Sequence, residues 1–285
     1  MKCLEESWCG LEWTPWIRFN SSRAEWRSIP KVAGVYRVRP VDRDFLAYIG
    51  QTGRGLRRRL SELKMNTLAV EMPFDDPHTA APNLWAWRQE EKWMYECSAA
   101  PTTVTDKNRK ALECYLLWQY RLEKNESTLC NHGRFRKDYA KSTLRSKGTR
   151  GRKLLSSEEP NPAGGPSYPP LQLKENPFHR EWMGLKWSDI EPLATQRLNT
   201  VPHSQGLYKL LDSIENRVLY LGETKDLKNR LTTHRRTYAT HRKINYSTVI
   251  LTEDVENYQR RELENDLIGG YYAQSKSAPL YQFGK

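Results

Sequence analysis

Short apolar runs and longer helical patterns alternate along the chain. Gly34–Arg39 and Phe45–Gly50 are β-rich and flank the turn-forming cluster Pro40–Asp44, which predicts a hairpin. Leu207–Leu211 and Arg217–Leu221 around Asp212–Asn216 predict a second one. A glycine- or threonine-containing stretch then opens a helix in each case, near Leu56–Lys64 and Leu227–Arg236, and a third strand is predicted at Trp93–Cys97 and Ser247–Leu251. Longer helices follow at Asp106–Lys124 and Val255–Tyr272. In them Leu112, Leu116 and Tyr120 recur at i, i+4 and i+8, as do Leu263, Leu267 and Tyr271. The order ββαβα therefore occurs twice. The predicted fold class is α+β: two copies of a small three-stranded antiparallel sheet flanked by helices.

The two copies are a sequence repeat. Gly10-Leu11-Glu12-Trp13 returns as Gly184-Leu185-Lys186-Trp187. Gly34-Val35-Tyr36 returns as Gly206-Leu207-Tyr208, and Tyr48-Ile49-Gly50 as Tyr220-Leu221-Gly222, twelve residues after the first tyrosine each time. Leu-x-x-Arg-Leu frames hold Arg59 and Arg230; Leu112-Glu113 matches Leu263-Glu264, and Asn131 matches Gln282. The copies differ between arginine and glutamate, 54 residues in the first and 34 in the second. The surplus, Glu71–Arg88, reads as an ordered loop. Ser156–Pro170 holds five prolines and two glycines and reads as a linker. The predicted organisation is a first unit over 1–155, with a Trp-rich N-terminal segment and a basic tail, a linker over 156–175, and a second unit over 176–285.

Charge adds a partner to this picture. The 285 residues carry 46 Lys and Arg against 34 Asp and Glu, a formal net charge of +12. Such an imbalance fits a polyanion, most commonly nucleic acid. Residues 1–150 hold 27 basic and 18 acidic side chains, and 134–153 alone hold nine basic ones against Asp138. Arg134, Arg136, Lys137, Arg145, Lys147, Arg150 and Arg152 in that stretch are expected to track phosphates, joined by Arg57 and Arg58. No apolar run approaches the roughly 18–20 residues of a membrane helix. The N-terminus lacks the apolar stretch of a signal peptide, and five scattered cysteines are no disulfide framework, so a cytoplasmic chain is expected. Without a Cys-x-x-Cys pair, Cys97, Cys114 and Cys130 read as buried thiols instead of a zinc site. The ten tryptophans read mainly as packing, with base wedging as a second reading for Trp85, Trp87 and Trp93.

The ordered set of Gly-x-Tyr strand, Tyr-x-Gly strand, helical arginine, helical glutamate and terminal asparagine resembles the GIY-YIG nuclease superfamily, over about Pro30–Gly133 and Pro202–Gly284. The resemblance implies a DNA endonuclease that hydrolyses phosphodiester bonds with water and one divalent cation, Mg²⁺ or Mn²⁺. It implies Tyr36 and Tyr208 as general bases, which requires neighbouring cations to bring a phenol down from its usual ~10. Tyr48 and Tyr220 would orient water or phosphate, Arg59 and Arg230 would neutralise the transition state, and Glu113 and Glu264 would hold the metal. Asn131 is the family asparagine; Gln282, one methylene longer, is expected to disturb positioning in the second copy. His234 lies one turn beyond Arg230, where relatives often carry histidine or tyrosine. The first copy has Leu63 there, and His78 in the inserted loop is a candidate to fill that place.

A restriction-like enzyme cutting both strands with one chain, acting as a monomer, is one reading. A structure-specific repair or recombination nuclease is another. A third is a DNA-binding module with one or both sites vestigial, for which Leu63 and Gln282 speak.

Overall fold

The central strand of each sheet is buried at nearly every position, so both its faces need cover. In the computed structural model, which describes residues 2–238 and 244–284, that cover comes from helices on one side and a Trp-rich segment on the other. The chain divides into Met1–Arg109 with Gln119–Ser167, and Lys110–Trp118 with Tyr168–Lys285.

The first unit contains β1 (Ile17–Arg18), a helical turn α1 (Arg23–Trp26), β2 (Gly34–Pro40), β3 (Tyr48–Thr52), α2 (Leu56–Thr67), α3 (Ala81–Glu91), β4 (Tyr95–Pro101), both ends of α4 (Asp106–Lys124), whose middle Lys110–Trp118 groups with the second unit, β5 (Tyr139–Ala140) and β6 (Arg152–Lys153). Its main sheet runs β1-β4-β2-β3, antiparallel throughout. The second unit holds β7 (Glu191–Pro192), the turn α5 (Thr195–Leu198), β8 (Gly206–Asp212), β9 (Arg217–Thr224), α6 (Leu227–Thr237), β10 (Asn245–Ile250) and α7 (Asn257–Ser275), with strand order β7-β10-β8-β9. The protein is thus mixed α and β with antiparallel sheets.

Three expectations change. Each sheet has four strands, not three, because a two-residue strand from the preceding segment joins the open edge of β4 or β10. The insert is not all loop: α3 begins with Pro82 in its first turn and buries Ala81, Leu84 and Ala86. The Pro/Gly-rich run is no free linker up to Ser167. The Phe135 N–H donates to the Ala163 carbonyl, and Asn161 bonds both Lys137 and Tyr139, so this part belongs to the first unit.

In the first unit Tyr36 and Val38 of β2 meet Leu56, Leu60 and Leu63 of α2 and Leu84 of α3. Each fully buried leucine contributes about 1.5–3 kcal/mol. In the second, Tyr208 and Leu210 meet Leu227 and Leu231. On the opposite face lie Arg37 and Lys209, the residues that follow the two tyrosines, both fully buried. Arg37 lies 4.3 Å from the Trp13 ring centroid and donates to the carbonyls of Cys3 and Glu5 at 2.6 and 2.9 Å. Lys209 lies 4.4 Å from the Trp187 centroid and donates to the carbonyls of Pro177 and His179. The tryptophan pairs beside them match in geometry, Trp8–Trp13 at 5.9 Å and 32°, Trp182–Trp187 at 6.0 Å and 31°. The repeated Gly-Leu-x-Trp segment is therefore a cap that seals a buried cation in each unit.

Candidate active sites

Strand register places the first tyrosine of each unit opposite a glycine: Tyr36 pairs with Gly50, Tyr208 with Gly222. The ring lies across that glycine. A Cβ on Gly50 would stand 2.6 Å from Tyr36 Cζ, and one on Gly222 2.4 Å from Tyr208 Oη. The Tyr-x-Gly pattern thus exists because only glycine leaves room for the tyrosine of the neighbouring strand. The second tyrosine, two residues before the glycine, contacts the first: ring centroids are 6.0 Å apart for Tyr36–Tyr48 and 5.9 Å for the stacked Tyr208–Tyr220.

The following helix brings an arginine to the buried hydroxyl. Arg59 Nε donates to Tyr36 Oη at 3.3 Å, and Arg230 Nε to Tyr208 Oη at 2.9 Å. Asp226 caps α6 by accepting from the Asn229 N–H at 2.9 Å. One turn beyond Arg230, His234 is buried with Nε2 2.9 Å from Tyr208 Oη. Burial and then the Arg230 charge push the imidazole down to about 4, so it is neutral. Burial, then Tyr220, pushes the Tyr208 phenol well above its ordinary value against the pull of Arg230. The expectation that neighbouring cations ionise this tyrosine is therefore not met in the free chain. The Tyr208 hydroxyl accepts from Arg230 and shares a hydrogen bond with His234, which links the three side chains. In the first unit Leu63 occupies the corresponding helical position and is fully buried.

Glu113 and Glu264 sit half-buried on α4 and α7. The Glu264 carboxyl is pushed up to about 7 by burial and then by the Glu223 carboxylate, against the Glu223 backbone hydrogen bond and the Arg230 and Arg261 charges. A half-buried carboxylate beside a second one fits a hard divalent cation that keeps most of its waters. Among the described residues no three metal-ligating side chains gather.

Asn131 and Gln282 occupy equivalent places. Asn131 accepts from the Ile49 N–H at 3.0 Å and donates to the Ile49 carbonyl at 2.8 Å; Gln282 does the same to Leu221, at 3.0 Å both ways. Both are buried and pin the loop that follows the long helix to the strand carrying the second tyrosine. The extra methylene of glutamine, expected to disturb positioning, preserves the same bonds.

One pair of residues escaped the sequence reading. Arg109 and Arg260 lie four residues before Glu113 and Glu264 and are nearly fully buried. Arg109 Nε donates to Gln51 at 2.9 Å and Arg260 Nε to Glu223 at 2.8 Å. Gln51 and Glu223 each follow the site glycine, so the buried arginine ties the glycine strand to the helix that carries the glutamate. The shared offset of four in both copies was the available signal.

The expected phosphate-tracking cations divide into two groups. Arg57 donates to the backbone of Arg27 and Ile29, and Arg134 to the Gly165 carbonyl at 2.6 Å. Arg136 pairs with Glu91 at 2.8 Å and Asp138 at 2.7 Å. These three brace the fold. Arg58 pairs with Glu62, Arg150 with Glu71 and Arg152 with Glu158, yet all three arginines are exposed. Lys137, Arg145 and Lys147 are exposed as well. Trp87 and Trp93 stack on one another, with Arg136 over Trp87, and Trp85 donates to the Ala69 carbonyl; all three pack within the unit. Gln51, Thr52, Arg54, Arg58, Arg59 and Glu62 line a cavity of about 340 Å³ in the first unit.

No helix of the described residues is long and apolar enough to cross a membrane. No protein-family model matches the chain, and no curated protein or solved structure matches it either.

Proposed function

We propose that the chain is a divalent-metal-dependent DNA endonuclease built from two GIY-YIG units, each arranged ββαβα with the first expanded by the α3 insert. The observation that carries this reading is the duplicated constellation. In both units an arginine on the next helix donates to the hydroxyl of a buried tyrosine whose ring covers the glycine paired with it. Packing alone asks for no arginine at a buried phenol, and it asks still less for the same one twice.

In this reading Arg230 and Arg59 present their remaining guanidinium N–H groups to a phosphate, where a planar fork stabilises the charge that develops on its oxygens. Tyr208 receives a proton from attacking water while its own hydroxyl proton passes to neutral His234, so no free phenolate is needed. Tyr220 and Tyr48 wall the phosphate pocket. Glu264 and Glu113 hold Mg²⁺ or Mn²⁺, which when bound supplies a Lewis acid for the departing oxygen. The +12 net charge draws the polyanion.

Two units in one chain make each strand of a duplex the target of one unit. Supercoiled plasmid with Mg²⁺ tests this. The parent chain yields linear DNA, Glu113→Ala and Glu264→Ala each yield open circles, and the double variant is inert. Absence of cutting on duplex, branched and single-stranded DNA refutes the reading. A second reading, with catalysis confined to the second unit and the first serving as a DNA-binding module, is favoured by Leu63. It predicts that Glu264→Ala abolishes all cutting while Glu113→Ala leaves it intact.

A further inference from the structure

The insert carries a histidine for which packing gives no reason. His78 is 1% exposed, yet neither ring nitrogen makes a hydrogen bond. Its Nε2 stands 3.4 Å from Glu62 Oε2, long for a hydrogen bond. A buried imidazole held by no more than this long contact to a carboxylate costs stability that an apolar side chain of similar size would not. Its neighbours are those of the candidate site. Arg59 Nη1 donates to the carbonyl of Pro77, the residue before it, at 3.1 Å. Glu62, Arg59 and Pro77 all line the cavity that also holds Arg54 and Arg58.

The second unit shows what such a histidine does. His234 is buried beside Arg230, the counterpart of Arg59, one helical turn further on. At that turn of α2 stands Leu63, locked into the core. The two histidines come from different elements, one from helix α6 and one from the loop before α3, yet each ends up buried next to its own unit's arginine. Both are held down to about 4 by the same causes in the same order, burial first and that arginine second. Each is therefore a neutral imidazole at neutral pH.

We propose that His78 is the first unit's substitute for the histidine that α2 lacks, a positioning residue that sets Arg59 and Glu62 for a phosphodiester in the arginine-lined cavity. This rests on the endonuclease reading and deepens it. A neutral imidazole beside the guanidinium adds no further anion to the Glu62 carboxylate already near Arg59, so the guanidinium keeps capacity for a phosphate oxygen. Glu62 is drawn toward Arg58 at 2.9 Å. His78 Nε2, 3.4 Å from its carboxylate, is a second partner that keeps it placed once a phosphate claims Arg58. The insert thereby places a buried neutral imidazole beside the arginine in the copy whose helix carries leucine at that turn.

The test uses the full chain with Glu264→Ala, so that remaining nicking belongs to the first unit. His78→Ala is expected to lower kcat for nicking about 100-fold with KM little changed, the size of effect a displaced positioning group produces. Imidazole in the buffer should restore part of the rate, and His78→Gln, which keeps an N–H donor, should lose less. In the Glu113→Ala background the same His78→Ala change should leave nicking by the second unit unaltered. Unchanged first-unit kcat overturns the proposal, as does an equal loss in both backgrounds. A readout free of cleavage uses inorganic phosphate as probe. The His78 ring resonances of the otherwise unaltered chain should shift on saturation, and Arg59→Ala should abolish the shift. No shift overturns the proposal. A phosphate-dependent shift in a chain that cuts no DNA supports His78 and refutes the endonuclease reading instead.

Discussion

Lys209 offers the sharpest test of the buried-cation caps. Its side chain is fully buried, and burial alone pushes its ammonium down from 10.5 to about 7. The unfolded chain keeps the ordinary lysine value, so between about 7 and 10.5 it binds more protons than the folded chain. Stability must then rise with pH through that window. Below about 7 both states are protonated, and the cost of burying the charge is fully present and constant. At about 1.4 kcal/mol per pH unit, the window is worth roughly 4–5 kcal/mol. That figure is a ceiling, because the Pro177 and His179 carbonyls and the Trp187 face all favour the ammonium. Lys209→Met keeps the stem and removes the charge. Urea denaturation of both chains, followed by tryptophan fluorescence, gives the difference in unfolding free energy at pH 6.5, 8 and 9.5. The difference should move in favour of the parent by at least about 1.4 kcal/mol across that range. A difference that stays flat means that Lys209 is charged throughout, and the reasoning from burial fails. Lys209→Arg supplies the control: it tests whether the second cap accepts the cation of the first, and its stability should lack the pH slope.

Other consequences are simpler to state. Gly222→Ala places a Cβ 2.4 Å from the hydroxyl of fully buried Tyr208; it should destabilise the chain by about 1–3 kcal/mol in urea and abolish cutting by the second unit while sparing the first. Arg260→Met removes the buried partner of Glu223 and Gln205 and should cost roughly 3 kcal/mol, read from the same denaturation curves. Replacing Arg145, Lys147, Arg150 and Arg152 with alanine should flatten the slope of log affinity against log salt, measured by fluorescence anisotropy on a duplex. The change should be about 2 and not the ~3.6 of four unpaired cations, since Arg150 and Arg152 already face Glu71 and Glu158. An unchanged slope would make this stretch a mere surface.

The parts of the fold that showed in the sequence are those with a period. Hairpins and helices announced themselves through alternation and through leucines four apart, and α4 was read at Asp106–Lys124, as found. What stayed hidden has no local signature. The edge strands β1 and β7 are two residues long and exist only because β4 and β10 present an unpaired edge. Helix α3 buries Ala81, Asn83, Leu84 and Ala86 on several sides, so it lacks the stripe that marks a surface helix. At the candidate site the tyrosines, arginines and glutamates were legible because each recurs at a fixed spacing. Arg109 and Arg260 recur just as regularly, but a basic residue on a helix reads as a solvated face until burial shows otherwise. The role of Asn131 was equally illegible. An amide that bonds both groups of one peptide unit, Ile49, looks in sequence like any other asparagine.

Comparing the copies shows which positions are free to drift. Arg37 became Lys209 while the acceptors remained backbone carbonyls, which take either cation from a range of angles. Asn131 became Gln282 while the loop carrying it kept its own tie to the sheet, Cys130 to Ala47 in one unit and Tyr281 to Leu219 in the other. The same pair of peptide bonds is reached with one methylene more. Gln51 became Glu223 while its partner remained an arginine, able to bond an amide or a carboxylate. None of this tolerance exists at the tyrosine. Its ring is wedged between a neighbouring strand and a helix, and the atom opposite it is a glycine hydrogen. Any larger residue at Gly50 or Gly222 displaces the hydroxyl, and with it the acceptor that Arg59 or Arg230 addresses. The invariant members of the repeat are thus those with rigid partners. Packing demands that the ring stay over the glycine. It does not demand the arginine, and its survival in both copies points to a ligand that needs the guanidinium held at that angle.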